Sequence, residues 1–402
     1  MPVREVLPDL LRWWRAGETV GVAMVVAVAG SAPREPGAVL VAGPDGSAVG
    51  SVSGGCVEGA AHGLADEVRA GAAPRVERFG ISDSDAFAVG LTCGGVLDVL
   101  GWRLSPAGFP DFEVFAGSVA AGEPVALATV VAGDRAVVGR QLVVWPDRRS
   151  GSLGSARRDD AVADDARGLL AAGRTATVTY GPQGQRRGVG LSVFVASFAP
   201  PPRMLVFGAI DHAAALARVG RFLGYRVTVC DARPLFATSR RLPDADEVVV
   251  DWPHRYLQGQ VAAGAVDGRT VVCVLTHEPR FDVPVLAVAL AQDVAFVGAM
   301  GSRRTHLDRL QRLREAGVSE DRLARLSSPI GLDLGARTPE ETAVSIAAEI
   351  VARRWNGTGL PLTHRDGPVH HPGTPDGADR PQGSGQTRSS STTGMVREVL
   401  RS

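Results

Sequence analysis

The sequence predicts an α/β protein: a C-terminal Rossmann-like, doubly wound parallel sheet, preceded by an N-terminal α/β domain with an internal duplication. Three observations carry this. From Met204 to Trp355, apolar runs of strand length alternate with helical patterns, the mark of a parallel sheet. The first of those runs ends in Phe207-Gly208-Ala209-Ile210-Asp211-His212, where a nucleotide-binding turn opens such a fold. Upstream, a pattern of strand, strand, glycine turn and alanine-rich helix occurs twice, roughly a hundred residues apart.

In chain order, Leu7, Leu10, Leu11 and Trp14 stand at helical spacing in an amphipathic start. Gly21 to Ala27 and Ala38 to Ala42 read as strands, the second closed by the turn Gly43-Pro44-Asp45-Gly46. Gly50-Ser51-Val52 then leads into a helix over Val57 to Ala70. Pro124 to Val131, Gln141 to Asp147, Gly151-Ser152-Leu153 and a helix over Asp159 to Ala172 repeat that order. Convergence in an alanine-rich chain is the alternative to duplication. The halves would span about 20–100 and 123–197 of a domain covering 1–198. A stiff proline linker, 199–203, follows. The domain over 204–362 has strands at Met204–Phe207, Arg226–Cys230, Glu247–Val250, Thr270–Leu275 and Val294–Val297. Its helices fall near Ala213–Leu223, Val283–Ala291, Ser302–Ala316 and Pro339–Trp355. Thr338-Pro339-Glu340-Glu341 gives the last of these a capping hydroxyl, a first-position proline and a carboxylate three residues after the cap. From Thr363 to Ser402, Gly, Pro, Ser, Thr and His dominate, the composition of a disordered tail.

Composition limits function. A chain of 402 residues exceeds one ordinary core. Acidic and basic side chains number 43 each, so no basic field draws in nucleic acid or an anionic membrane. Every basic residue is Arg; with no Lys, Schiff-base chemistry and a P-loop lysine are excluded. The longest apolar run, Val20 to Ala29, is too short for a bilayer, and the N-terminus lacks a signal-peptide core. The expectation is a soluble cytoplasmic protein, its four cysteines reduced.

The two copies differ where chemistry concentrates. The first reads Ser53-Gly54-Gly55-Cys56-Val57-Glu58 and, later, Cys93-Gly94-Gly95; the second reads Gly154-Ser155-Ala156-Arg157-Arg158-Asp159 and has no cysteine. Glycine pairs let backbone approach a ligand while a soft thiolate faces the same cavity. Tight packing around buried thiols is the other reading of Cys56 and Cys93. Zinc is disfavoured by the missing CxxC spacing and histidines. Ser31-Ala32-Pro33-Arg34 offers an arginine for an anion, or is a surface turn. In the C-terminal domain, Gly208 stands where a pyrophosphate would meet a helix N-terminus, and Asp231 where a carboxylate would hold a ribose. Ile210 and Asp211 replace the later glycines and oppose that use. Thr276-His277 and Gly301-Ser302-Arg303-Arg304 end two further strands; the latter suits an anion. His277 capping a strand and Arg304 on a solvated helix face are the alternatives.

Together these motifs resemble the XdhC/CoxI family, over about residues 4 to 362 and in order. The matching residues are Gly30 to Arg34, Ser51 to Glu58, Cys93-Gly94-Gly95, Asp231-Ala232-Arg233, Thr276-His277-Glu278, Gly301 to Arg304 and Pro329 to Glu341. The resemblance implies an accessory protein without turnover of its own. Such a protein binds molybdenum cofactor (molybdopterin), shelters it while a cysteine desulfurase supplies the sulfido ligand, and inserts it into an apo-molybdenum hydroxylase. The hydroxylase would be of xanthine dehydrogenase or carbon monoxide dehydrogenase type. Cys56 and Cys93 would contact molybdenum or the sulfur, and Arg34, Arg303 and Arg304 the pterin phosphate. The same resemblance places Ser31, Gly54, Gly55, Glu58, Gly94, Gly95, Gly208, Asp211, His212, Asp231, Arg233, Thr276, His277, Gly301 and Ser302 around the cofactor. Family members commonly read Gly-Ala-Gly-His where this chain has Gly208-Ala209-Ile210-Asp211, with a histidine displaced to His212. That departure sets NAD(P) binding, the rival oxidoreductase reading, in doubt. A third reading is a docking subunit that binds no cofactor. Homodimerisation is left open.

Overall fold

The computed structural model describes residues 2–29, 34–80, 95–186 and 188–365. The N-terminal part comprises α1 (Pro2–Arg15), β1 (Val20–Ala29), β2 (Val39–Ala42), β3 (Ala48–Gly50), α2 (Glu58–Arg69), β4 (Arg75–Gly80) and β5 (Val96–Leu104). It continues with α3 (Phe112–Ala121), β6 (Val125–Ala132), β7 (Gln141–Val144), β8 (Arg149–Gly151), α4 (Ala156–Ala172), β9 (Ala176–Tyr180) and β10 (Leu191–Phe198).

These strands form two antiparallel five-stranded sheets of identical order, β3-β2-β1-β5-β4 and β8-β7-β6-β10-β9. The central strands show why. In β1, Val20, Val22, Met24 and Val26 face the space between the sheets, while Ala23 and Val25 lie under α2. In β6, Val125, Leu127 and Val131 face the same space, and Ala126, Ala128 and Val130 lie under α4. A strand with both faces buried is apolar nearly throughout, which is why each reads as an apolar run, broken in β6 only by buried Thr129. Helices α1 and α3 close the shared inter-sheet core with Val6, Leu7, Leu10, Trp13, Phe112 and Phe115. The layers are therefore α2, sheet, shared core, sheet, α4.

Across Pro200–Pro202 the chain enters β11 (Arg203–Phe207), tied back where Arg269 Nη1 donates to the Pro200 carbonyl at 2.9 Å. There follow α5 (Asp211–Phe222), β12 (Arg226–Asp231), β13 (Glu247–Val250), α6 (Pro253–Ala262), β14 (Val271–Val274) and α7 (Pro279–Leu290). The last elements are β15 (Phe296–Ala299), α8 (Arg303–Glu315), α9 (Glu320–Leu323), β16 (Leu326–Ser327), α10 (Pro339–Trp355) and a 3-10 turn, Leu362–His364. The sheet is parallel, ordered β13-β12-β11-β14-β15-β16, with its switch point between β11 and β14. Helices α5 and α10 pack one face through Leu216, Ala217, Ile346 and Ile350. The opposite face is covered from α6, α7 and α8 by Leu257, Val285, Leu286 and Leu313. This is the doubly wound fold expected from the sequence.

Boundaries differ in detail. The expected strand Val294–Val297 lies two residues later, at Phe296–Ala299. Helix α4 starts three residues before Asp159 because Ser155 caps it, accepting the Arg158 N–H at 3.4 Å. Helix α10 has the foreseen capping box between Thr338 and Glu341. Residues 363–365 belong to or follow the 3-10 turn; the rest of the expected tail, 366–402, lies outside the described residues.

Candidate functional site

In the first sheet, the segment between β3 and α2 folds around one side chain. Glu58 is the first residue of α2, and its carboxylate reaches back over the loop that precedes it. It accepts the Ser51 hydroxyl at 2.8 Å, the Ser53 N–H at 2.9 Å, the Gly54 N–H at 2.8 Å and the Gly55 N–H at 2.7 Å, besides a short bond from the Ser53 hydroxyl. Burial works to raise the Glu58 pKa, but the Ser53 hydroxyl and N–H, the Ser51 hydroxyl and the Gly55 N–H outweigh it and hold it at about 2. The anion is therefore fixed at neutral pH, and its place in the first helical turn suits the helix dipole.

The clamp sets what the loop can present. Gly54 and Gly55 hold φ of 79° and 133°, conformations that a side chain resists, and among the described residues a Cβ on either would meet no atom within 4 Å. Their N–H groups are turned inward to Glu58, so the loop offers no oxyanion hole; what it offers outward is bare Cα surface. Cys56 follows half-buried, against the core beneath α2, while Val57 is fully buried. Among the described residues the loop is thus a ledge of two bare glycines with a thiol at its end. That fits a flat ligand carrying a soft, sulfur-liganded centre. Gly95 is buried at the start of β5, beside the end of β4. Arg34 is exposed. Ser31, Cys93 and Gly94 lie outside the described residues, so the expected meeting of Cys56 with Cys93 does too.

The C-terminal candidates gather as the fold requires, at the carboxyl ends of β11, β12, β14 and β15. Several are committed inside the protein. Asp231 is 2% exposed; it accepts the Ala209 N–H at 2.8 Å and is gripped by Arg233 through Nε at 2.9 Å and Nη2 at 2.7 Å. Burial raises its pKa, but Arg233 and the Ala209 N–H bring it below the usual carboxylate range. Asp231, which stands where a ribose-binding carboxylate would, ties the Gly208 turn to the Arg233 loop. Gly208, at φ 112°, would place a Cβ 2.8 Å from Thr276 Cγ2. Glycine is needed there for strand packing at the switch point. Ile210 takes the cap position of α5 without a side-chain bond.

Thr276 and Ser302 also bond within the protein. The Ser302 hydroxyl caps α8, accepting the Thr305 N–H at 3.1 Å. Buried Thr276 makes a short bond to Asp282, whose other oxygen pairs with Arg309 at 3.1 Å. Arg309, 3% exposed, also donates to the Met300 carbonyl at 2.7 Å and the Ser328 hydroxyl at 2.9 Å. Burial raises the Asp282 pKa, against the pull of Thr276, Arg309 and His277. This buried network, which sequence reasoning missed, braces the ends of β14, β15 and β16. Around it His277, Arg303 and Arg304 stay exposed, Asp211 pairs with Arg241 at 3.4 Å, and His212 is half-buried. The exposed groups at this edge are mainly cationic.

Among the described residues, no three His, Cys, Asp or Glu side chains converge to hold a metal ion, and no helix is long and apolar enough to cross a membrane. Cys230 and Cys273 are buried free thiols; burial pushes Cys230 up to about 12 and Cys273 further. Neither thiol is a nucleophile at neutral pH.

A domain of two repeated sheets with a glycine–cysteine ledge, followed by a Rossmann domain whose carboxyl edge is braced from within, defines a two-part α/β architecture. The chain belongs to the XdhC and CoxI family. The family model described as XdhC and CoxI family matches residues 13–80 and 118–181, one segment in each sheet, and that described as XdhC Rossmann domain matches 204–350. A probable xanthine dehydrogenase subunit of Bacillus subtilis is 26% identical over 84% of this chain and 94% of its own length. The molybdenum cofactor insertion chaperone PaoD of Escherichia coli is also 26% identical, over 87% of this chain and 88% of its own. The crystal structure of a Bacillus halodurans protein described as a xanthine dehydrogenase shares the fold, with a TM-score of 0.60 and 23% identity, over 88% of this chain and 96% of that one.

Proposed function

We propose that this protein binds molybdenum cofactor as cargo, holds it during sulfuration by a cysteine desulfurase, and delivers it to an apo-molybdenum hydroxylase of xanthine dehydrogenase or carbon monoxide dehydrogenase type. The observation that carries the reading is the ledge: Glu58 spends its hydrogen bonds on keeping Gly54 and Gly55 open beside Cys56. The likeness to an insertion chaperone along nearly the whole described chain supports the same class of cargo. The exposed Arg303, Arg304 and His277 would meet the anionic side of the cofactor. Chemistry on the cofactor belongs to the desulfurase and the hydroxylase. This chain supplies shelter and release, without turnover of its own.

The test is retention. Purified protein mixed with molybdenum cofactor and desalted is expected to keep pterin in proportion to protein, and Cys56→Ala to keep at least tenfold less. Equal retention by Cys56→Ala, together with unchanged activation of an apo-hydroxylase, would remove the ledge from the proposal. The NAD(P) reading has little left to stand on, since the carboxylate that would take the ribose is occupied by Arg233 and Ala209. Titration with NAD(H) is expected to give no heat.

A further inference from the structure

The second sheet carries a loop where the first carries the ledge, and its chemistry differs. Asp159 replaces Glu58; it accepts the Ser152 hydroxyl at 2.8 Å and the Leu153 N–H at 2.7 Å and, one methylene shorter, engages no N–H beyond. At the places of Cys56 and Val57 stand Arg157 and Arg158. Arg158 folds back over the loop and is held there, Nη1 on the Leu153 carbonyl at 2.7 Å and Nη2 on the Pro182 carbonyl at 2.6 Å. Arg140, just before β7, reaches the same spot. The two Nη1 atoms lie 3.2 and 3.3 Å from the point a Cβ on Gly154 would take.

Two guanidinium groups thus converge on one exposed glycine. Of the neighbouring carboxylates, Asp160 pairs with Arg149, Asp164 with Arg167 and Asp165 with Arg186, while Asp159 and Asp134 accept only neutral donors within their own loops. Among the described residues, Arg140, Arg157 and Arg158 have no ion pair. Two like charges held together without a direct ion pair repel, and an oxyanion between them relieves the repulsion through charge-assisted hydrogen bonds. Arg140 brings all its donors, and the Nε of Arg158 is buried without a partner. Gly154, at φ 109°, adds no side chain of its own, and Val137 Cγ1, 3.3 Å from the same point, forms an apolar wall beside the two guanidinium groups.

We infer that Arg140, Arg158 and the Gly154 loop form a binding site for a phosphate-class oxyanion, distinct both from the Cys56 ledge and from the Rossmann edge. The ligand class is a phosphomonoester or pyrophosphate group, free or borne on a larger molecule. The inference stands whether or not the ledge binds molybdenum cofactor.

Calorimetric titration of the full chain with inorganic pyrophosphate at low salt tests it. One-site binding is expected, weakened at least tenfold in Arg140→Gln; that side chain makes no bond within the described protein, so the variant should melt like the parent. Arg158→Gln is expected to lose binding too, with a melting curve to separate loss of the loop from loss of the ligand. Arg303→Gln, Arg304→Gln and Cys56→Ala should bind pyrophosphate as the parent does. No heat from the parent, parent-like binding by Arg140→Gln, or a loss that follows Arg303 or Arg304 instead would overturn the assignment. If pyrophosphate binds here, titration with a nucleoside diphosphate then separates a free anion from a borne one.

Discussion

The two sheets of the N-terminal domain share a strand order and a core, yet the loop at the head of each outer helix has a different job. In the first, a glutamate reaches back far enough to collect N–H groups from Ser53, Gly54 and Gly55, and α2 begins only at Glu58. In the second, an aspartate reaches only Leu153 and Ser152, Ser155 caps the helix, and α4 begins at Ala156. The longer arm together with positive-φ Gly54 and Gly55 goes with a ledge, and the shorter arm together with the Ser155 cap and Ala156 goes with a helical turn. The repeated scaffold supplies position, and the side chain at the helix start supplies function.

The largest effect that breaks the comparison lies beneath the helices. Strand registers pair Val20 with Leu104 and Val125 with Phe198, which sets Gly21 of the first sheet against Ala126 of the second. A Cβ on Gly21 would stand 1.8 Å from the Ala65 carbonyl oxygen, so α2 rides closer to its sheet than a side chain permits. Gly21→Ala is expected to destabilise by about 3 kcal/mol in chemical denaturation, through overpacking that only a shift of backbone can relieve. Ala126→Gly should cost about 1 kcal/mol or less. Equal effects would mean that the two helices sit alike.

Next in size is the clamp. Glu58→Ala leaves the N–H groups of Ser53, whose residue is 2% exposed, and of Gly55 without their acceptor, and leaves Gly54 only the Ser51 hydroxyl. A loss of about 2 kcal/mol is expected, with cofactor retention falling in parallel. Glu58→Asp imitates the second sheet; it should keep about half that stability while losing retention, because the shorter arm cannot hold both glycines. A variant that retained cofactor would show that the ledge forms without the clamp.

Much of this was legible in the sequence, for physical reasons. Strands buried on both faces, such as β11 and β14, announce themselves as apolar runs, and α10 was bounded to the residue because its capping box is local chemistry. Strand β15 was misplaced because Gly298 and Ala299 lack strand character, although Gly298 packs against Ile330. Edge strand β4, Arg-Val-Glu-Arg-Phe-Gly, hid behind charged side chains paired on both of its faces, Arg75 with Glu77 on one and Arg78 with Asp98 on the other. Helix α6 buries only Pro253 and Leu257 and carries Gly259, so its periodicity is faint. At the site, the glycine–cysteine motif was visible but the clamp was not, since nothing in Glu58 itself shows that it bonds backward. Arg309 was hidden among five arginines of α8; only its spacing to buried Leu313 marks it as the inward one.

Acidity sharpens the comparison at a smaller scale. Glu58 has its pKa lowered from 4.5 to about 2, so the stability it lends is complete above pH 4.5 and is lost as pH falls toward 2. Because the carboxylate is partly exposed, solvent screening reduces the contribution to about 1–2 kcal/mol. Glu58→Gln should remove that part of the acid dependence between pH 4.5 and 2 in urea titrations, while acid loss from other carboxylates persists. An unchanged slope would mean that the clamp is formed in the unfolded chain as well.

The smallest expected effect on folding is the most telling for function. Cys56 lies half-buried at the margin of the core under α2, so Cys56→Ala removes one sulfur from a surface that is already partly wet. The midpoint of denaturation should move by less than about 1 kcal/mol. Cofactor retention should nevertheless fall at least tenfold, the reverse of Gly21→Ala, where stability falls first and retention follows it. Arg157→Cys in the second sheet restores a thiol at the equivalent position, but on a helical turn instead of a ledge. It is expected to leave retention at the parental value, since a thiol without open glycines beside it gives a flat ligand no surface to rest on. A rise in bound pterin in that variant would shift the weight of the site from the ledge to the thiol alone.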